Sequence, residues 1–367
     1  MQKNASAFHV PSFFPVQQKT AGQRKAQKTK AWYKQKKTTT APGRLPEMKN
    51  NHRHILAGAF LLFTTLLGSG YALADDAENG LALVKKQQYA EAIDPLTNAA
   101  KEGHVKAQLA LATIYDRGLG TARNKSLAAW WYGKAAEQGD AVSQFHLASK
   151  YLQGEGIIQD NVRAALWYRK AAEQGLSSAQ FNLATLYQNG WGVLRDEKQA
   201  MKWYTQAAQQ DHIKAQFNLG MIYLNGRDIE KDPVKAREWF EKAATQNGPR
   251  SQYMLGRLYL DGEGVKKDGK TAFSWFKKSA DNGYAEAIYQ VGLMLENGIG
   301  TGQDEKEALL FYQKAADAGY AEAQYSLGAM YELGKGTEKS PEKAMEWYKR
   351  AAQQGHHKSQ DKLIGHN

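Results

Sequence analysis

The chain has 367 residues, 49 Lys/Arg against 37 Asp/Glu for a formal net charge of +12, and no cysteine. Without a thiol, disulfides, cysteine nucleophiles, thiolate metal sites and a lipidated cysteine are all excluded. The positive charge is confined to residues 1–74, which hold 12 Lys/Arg and one acid, Glu47; the remainder carries 37 bases and 36 acids and offers no global electrostatic case for nucleic acid.

Residues 1–47 are rich in Lys, Gln and Thr with little apolar periodicity, the composition of a disordered basic segment. Met48 then opens Met-Lys-Asn-Asn-His-Arg-His, followed by the apolar run Ile55–Leu67 and by Ala72-Leu73-Ala74 ahead of Asp75-Asp76. A basic start, a short apolar core and a small-x-small site make residues 48–74 a secretory signal peptide cut after Ala74. The apolar run is too short for a good membrane span. The expectation is that Met48 is the initiator and that residues 1–47 are an over-extended reading frame. The alternative is a basic cytoplasmic tail with Ile55–Ala74 as an uncleaved anchor, which the positive-inside rule would orient.

Residues 75–104 read as a degenerate first repeat, because Ala92, Leu96, Ala99, Ala100 and Gly103 keep the phase of the second helix in the later units. Seven units of 36 residues start at Val105, Ala141, Ser177, Ile213, Pro249, Ala285 and Ala321, without insertion or deletion. A glycine recurs at Gly118, Gly154, Gly190, Gly226, Gly262, Gly298 and Gly334, and a large aromatic at Trp131, Trp167, Trp203, Trp239, Trp275, Phe311 and Trp347. Fixed-period self-similarity marks a stacked, quasi-one-dimensional array.

Within unit three, Ala179, Leu183, Leu186 and Tyr187 share one face of a first helix that Gly190 stops. Asp196 is placed to cap a second helix over Lys198–Gln210, where alanines permit close approach and Trp203 and Tyr204 fill the remaining volume. One hairpin cannot bury its apolar face alone, so neighbours must stack. Asp211 and Asn247 replace the terminal glycine of units three and four, and Asp228 replaces the second turn glycine of unit four. Asp and Asn tolerate the left-handed region these positions need. After the last unit, residues 357–367 form a polar C-terminal capping segment.

Unit five shows the full motif in Leu255, Gly256, Tyr259, Gly262, Gly264, Val265, Asp268, Ala272, Trp275 and Phe276. These residues resemble the Sel1-like repeat family, relatives of the tetratricopeptide repeat, over Val105–His356. The resemblance implies an all-α, right-handed α-solenoid of stacked antiparallel helix pairs, with the first helices lining its concave surface. It also implies a non-enzymatic scaffold that binds a protein or peptide. Some exported relatives staple each hairpin with a cysteine pair, and this chain departs from them.

Nothing in the sequence assembles a catalytic set, and no cofactor or metal is expected. The Gly-x-Gly turns look like phosphate-cradling loops only in isolation, since no strand precedes them and they recur in every unit. His104, His212 and His356 share one unit position at the end of the second helix, where a cation suits the helix C-terminus. Lone His146 has no carboxylate or serine in register.

The residues that vary between units carry the binding information. Positions 2, 6, 9 and 13 of the first helix lie opposite the Ala/Leu/Tyr face. In units three to five they read Ser178, Asn182, Thr185, Asn189, then Lys214, Asn218, Met221, Asn225, then Arg250, Met254, Arg257, Asp261. Asn182, Asn189, Asn218, Asn225, Arg250 and Arg257 are the candidate partner-binding residues, because Asn can bond an extended peptide backbone and Arg can clamp a carboxylate. Phe181, Phe217 and Tyr253 border them.

The expected function is an exported adaptor, periplasmic or secreted, holding a protein or peptide in its groove, with no nucleic acid and no stable membrane insertion after cleavage. Two alternatives come from other classes: a binder or hydrolase of β-lactam or peptidoglycan-like ligands, and a membrane-anchored assembly factor.

Overall fold

The computed structural model describes residues 75–226 and 229–364. The basic segment 1–47, the signal peptide 48–74, the turn residue Asp228 and the last three residues lie outside the described residues. Residues 75–85 (α1) and Tyr89–Lys101 (α2) precede seven helix pairs. These are Val105–Arg117 (α3) with Lys125–Glu137 (α4), Ala141–Gln153 (α5) with Asn161–Glu173 (α6), and Ser177–Asn189 (α7) with Glu197–Ala208 (α8). Next come Ile213–Asn225 (α9) with Pro233–Thr245 (α10), and Pro249–Asp261 (α11) with Gly269–Asp281 (α12). Ala285–Asn297 (α13) pairs with Glu305–Asp317 (α14) and Ala321–Leu333 (α15) with Pro341–Gln353 (α16), before the closing helix His357–Ile364 (α17). Among the described residues there is no strand, and each helix packs on those before and after it in the chain, as an all-α solenoid requires.

The repeat motif explains each unit. Gly190 stops α7 in the left-handed region at φ 72°, and the Asp196 carboxylate caps α8 by accepting from the Gln199 N–H. Because Asp196 is the cap, α8 begins at Glu197, one residue before the sequence-based start; it ends at Ala208 rather than Gln210, as the chain must turn back through a left-handed Asp211 at φ 59°. Asn247 takes the same conformation at φ 60°, so both glycine replacements keep the turn. The second turn glycine serves the stack instead. A Cβ on Gly192 would lie 2.0 Å from the carbonyl oxygen of Asn161, at the start of the preceding unit's second helix, so only glycine lets the turn seat there.

The core runs along the array as a chain of small residues and rings. Ala179, Leu183 and Leu186 of α7 are buried with Ala200, Trp203, Tyr204 and Ala207 of α8, and Ala171 and Ala215 continue the cluster into the neighbouring units.

A second, polar element joins the units. Gln108, Gln144, Gln180, Gln216, Gln252 and Gln324, the fourth residue of six units, are buried in the first turn of the first helix. Gln216 donates from Nε2 to the Ala208 carbonyl at the end of the previous unit (3.1 Å) and accepts from Gln246 Nε2 at the end of its own (2.9 Å). The same pair of bonds recurs from Gln108 through Gln324 wherever the glutamine is present. Each side-chain amide thus satisfies a helix C-terminal carbonyl and closes the joint between units.

Candidate partner-binding face

The six candidate residues sit on the face built by the first helices, but as two groups of three. Asn182, Asn218 and Arg250 line adjoining depressions of about 450 and 320 Å³ at the N-terminal ends of α7, α9 and α11, which share Phe181, Ile213 and Lys214. Asn189, Asn225 and Arg257 line a second pair, of about 410 and 250 Å³, that share Met221 and Asn225 at the C-terminal ends of the same helices. Seven residues separate the two groups on each helix, roughly 10 Å along its axis. A helical wheel superimposes them because it discards that coordinate.

Several of these side chains already have partners. Burial pushes the Tyr168 and Tyr204 hydroxyls up, opposed by hydrogen bonds to Ser149 and Asn182 in the first case and to Thr185 and Asn218 in the second. Asn182 and Asn218 therefore satisfy buried tyrosines of the preceding unit as well as lining the groove. Asn189 donates back to the Thr185 carbonyl at 2.9 Å. The Arg257 guanidinium lies 3.9 Å from Asp261, and that of Arg250 sits 4.6 Å from the Phe217 ring centre.

The histidines depart from expectation. His104 and His212 are N-caps of α3 and α9, not cations at a helix C-terminus: Nδ1 accepts the Ala107 N–H in one (3.2 Å) and the Ala215 N–H in the other (3.3 Å). His356 does the same for the Ser359 N–H at 3.3 Å. At His212 the accepting nitrogen is unprotonated, and a positive charge at a helix N-terminus is unfavourable. Burial accordingly holds His212 below the usual imidazole value, with Lys214 nearby acting in the same direction. His146 stacks on Tyr132 at 4.8 Å, and burial lowers it too.

The bordering aromatics are half-buried and define the apolar walls. Phe181 stacks on His212 at 4.8 Å, and Tyr253 meets Tyr284 edge-on at 5.3 Å. Among the described residues no cluster of His, Asp and Glu is arranged to hold a metal, and no helix is long and apolar enough to cross a membrane.

Comparison with known proteins agrees with this architecture. The Sel1 repeat family model matches residues 105–140, 141–176, 177–212, 213–248, 249–284, 285–320 and 321–356. Among solved structures, the chain is similar to a Sel1 repeat protein from Oxalobacter formigenes, with 28% identity and a TM-score of 0.70 over 89% of this chain and 98% of that one. It is similar also to c5321, a protective antigen of uropathogenic Escherichia coli with the same repeat fold, at 36% identity and a TM-score of 0.70 over 73% of this chain. The match spans 57% of the length of that antigen. No curated protein matches the chain.

Proposed function

The chain belongs to the Sel1 repeat family, whose members are generally non-catalytic scaffolds that mediate protein–protein interaction, and we propose that it holds a protein segment along the N-terminal ends of α7, α9 and α11. One observation carries the placement. The two depressions there adjoin and share Phe181, Ile213 and Lys214, which sets apolar walls beside amide and guanidinium groups. Apolar anchors with a few convergent polar groups are what a bound segment needs for affinity and for register. The second trio, Asn189, Asn225 and Arg257, would take a partner wide enough to span both groups.

The proposal includes export. The basic start, short apolar core and Ala-x-Ala site of residues 48–74 support a cleaved signal peptide, and the absence of cysteine makes the array independent of redox compartment. An intact mass beginning at Asp75 in the natural protein is the expected result; a chain that retains residues 48–74 contradicts it.

The binding reading is tested by affinity capture from envelope extract. The chain is compared with a variant carrying alanine at Asn182, Asn218, Arg250 and Arg257, with helical content and melting checked for both. A protein retained by the first and lost by a folded second is the expected outcome. Equal retention by both moves the site off this face.

A further inference from the structure

Every unit after the first sets a ring on this face at its fifth residue: Phe145, Phe181, Phe217, Tyr253, Tyr289 and Tyr325. The last residue of the same unit covers that ring. Leu176 packs in the cluster that holds Phe145. His212 stacks on Phe181 at 4.8 Å, Tyr284 meets Tyr253 at 5.3 Å, Tyr320 meets Tyr289 at 5.3 Å, and His356 meets Tyr325 at 4.9 Å. Unit four ends in Gly248, which has no side chain to cover Phe217.

The backbone angles do not call for this glycine. Gly248 has φ −69° and ψ 102°, against −72° and 101° at His212 and −78° and 113° at Tyr284. The backbone angles match, and a depression of about 320 Å³ lies here, lined by Phe217 and Gly248. An apolar cavity of about 150 Å³ already holds benzene, so a phenyl or phenol side chain fits with room to spare. Phe181, Ile213, Phe217 and Pro249 form its walls, Lys214 and Arg250 are the charged groups on it, and no acid lines it.

We propose that this vacancy is a pocket for an aromatic side chain of the protein partner, flanked in the partner by carboxylates. The incoming ring takes the place that Tyr284 and His212 fill in neighbouring units, against Phe217 and beside the Arg250 guanidinium, which lies 4.6 Å from the centre of that ring. Lys214 and Arg250 bond the carboxylates beside it, Arg250 with two parallel N–H donors. The inference rests on the scaffold reading and specifies what the groove recognises.

The probe is a capped peptide, acetyl-Ala-Asp-Phe-Asp-Ala-amide with a fluorinated ring, titrated against the full chain and followed by fluorine NMR. Binding is expected at or below about 1 mM, the range of a single anchored side chain. Replacing Phe by Ala should abolish it, and replacing both Asp by Asn should weaken it at least about tenfold, the scale of one lost charge-assisted contact. On the protein, Gly248→Tyr and Gly248→His should close the pocket from within. A Cβ there approaches the Ala243 carbonyl oxygen to 2.7 Å, so Arg250→Glu, which leaves that backbone untouched, is the parallel variant and should weaken the probe by a similar factor. Three results each overturn the proposal: no binding at about 10 mM, equal binding of the Ala peptide, or undiminished binding by folded Gly248 variants and Arg250→Glu. If a captured partner is lost by the four-alanine variant but kept by Gly248→Tyr, the pocket falls and the scaffold reading stands.

Discussion

Units one to three and units four to seven solve the same packing problem differently. The eighth residue of the unit is Ala112, Ala148 or Ala184 in the first group and Gly220, Gly256, Gly292 or Gly328 in the second. Opposite it stands the ring of the second helix: Tyr132, Tyr168 and Tyr204, then Phe240, Phe276, Tyr312 and Tyr348, all buried. In the second group a Cβ on the glycine would lie 2.4–2.8 Å from that ring, so the ring has moved into the methyl's volume. Hydroxyl placement differs with it. Tyr132 and Tyr204 approach Thr113 and Thr185 at 3.5 and 3.1 Å, one residue beyond the alanine, and Tyr204 also reaches Gln188. Tyr312 and Tyr348 instead donate to Glu296 and Glu332 at 2.8 and 2.6 Å, and burial and these acids push both hydroxyls well above the usual phenol value. Where the residue at the acid's position is Leu224 or Leu260, the ring is phenylalanine and there is no hydroxyl to satisfy. The lesson is that the period fixes the backbone, while methyl, ring and hydroxyl are chosen as a set within each unit.

Exchanging members of that set breaks the comparison. In an ordinary helix Gly→Ala stabilises by about 0.5–1 kcal/mol. Gly256→Ala should instead destabilise by about 1–3 kcal/mol, because its Cβ would sit 2.7 Å from Phe276, whose ring is fully buried and has nowhere to go. The reverse change, Ala184→Gly, should cost only about 1 kcal/mol of helix propensity, since that unit has no ring in the methyl's place. Urea melts of both variants read the difference, and a stabilised Gly256→Ala would contradict the packing set.

A second exchange sharpens the role of the glutamine ladder. Gln180→Ile alone should cost about 1–3 kcal/mol, because it breaks two bonds at the joint, one to the Ala172 carbonyl at 3.1 Å and one from Gln210 at 2.8 Å. Adding Gln210→Ala should recover about half of the loss, because replacing both partners of a buried hydrogen bond can be nearly neutral. Unit six already carries that double replacement, Ile288 with Ala318. Additive losses in the double-mutant cycle would show that the two side chains act separately.

The fold was legible because its cause is periodic. Small residues, aromatic rings, stop glycines and Asp caps recur every 36 residues, and each has one local job. Polar residues on the first helix were harder to read. The fourth-position glutamines were not singled out, although their recurrence and their joint loss with the partner in unit six were visible signals of a buried bond. The histidines were assigned to the wrong helix end because the left-handed residue before each carries the chain into the next helix within one step. The six candidate residues were chosen by angle alone, so their division along the axis was invisible. The pocket was missed for another reason: it is marked by a side chain that Gly248 lacks, and only the rings at 212, 284, 320 and 356 give that lack a meaning.

The most direct test of the central claim is hydrogen–deuterium exchange of the chain with and without its captured partner. Slowed exchange confined to the first turns of α7, α9 and α11, with α6, α8 and α10 unchanged, is the result this account requires. Protection confined to the second helices or to α17 would contradict it.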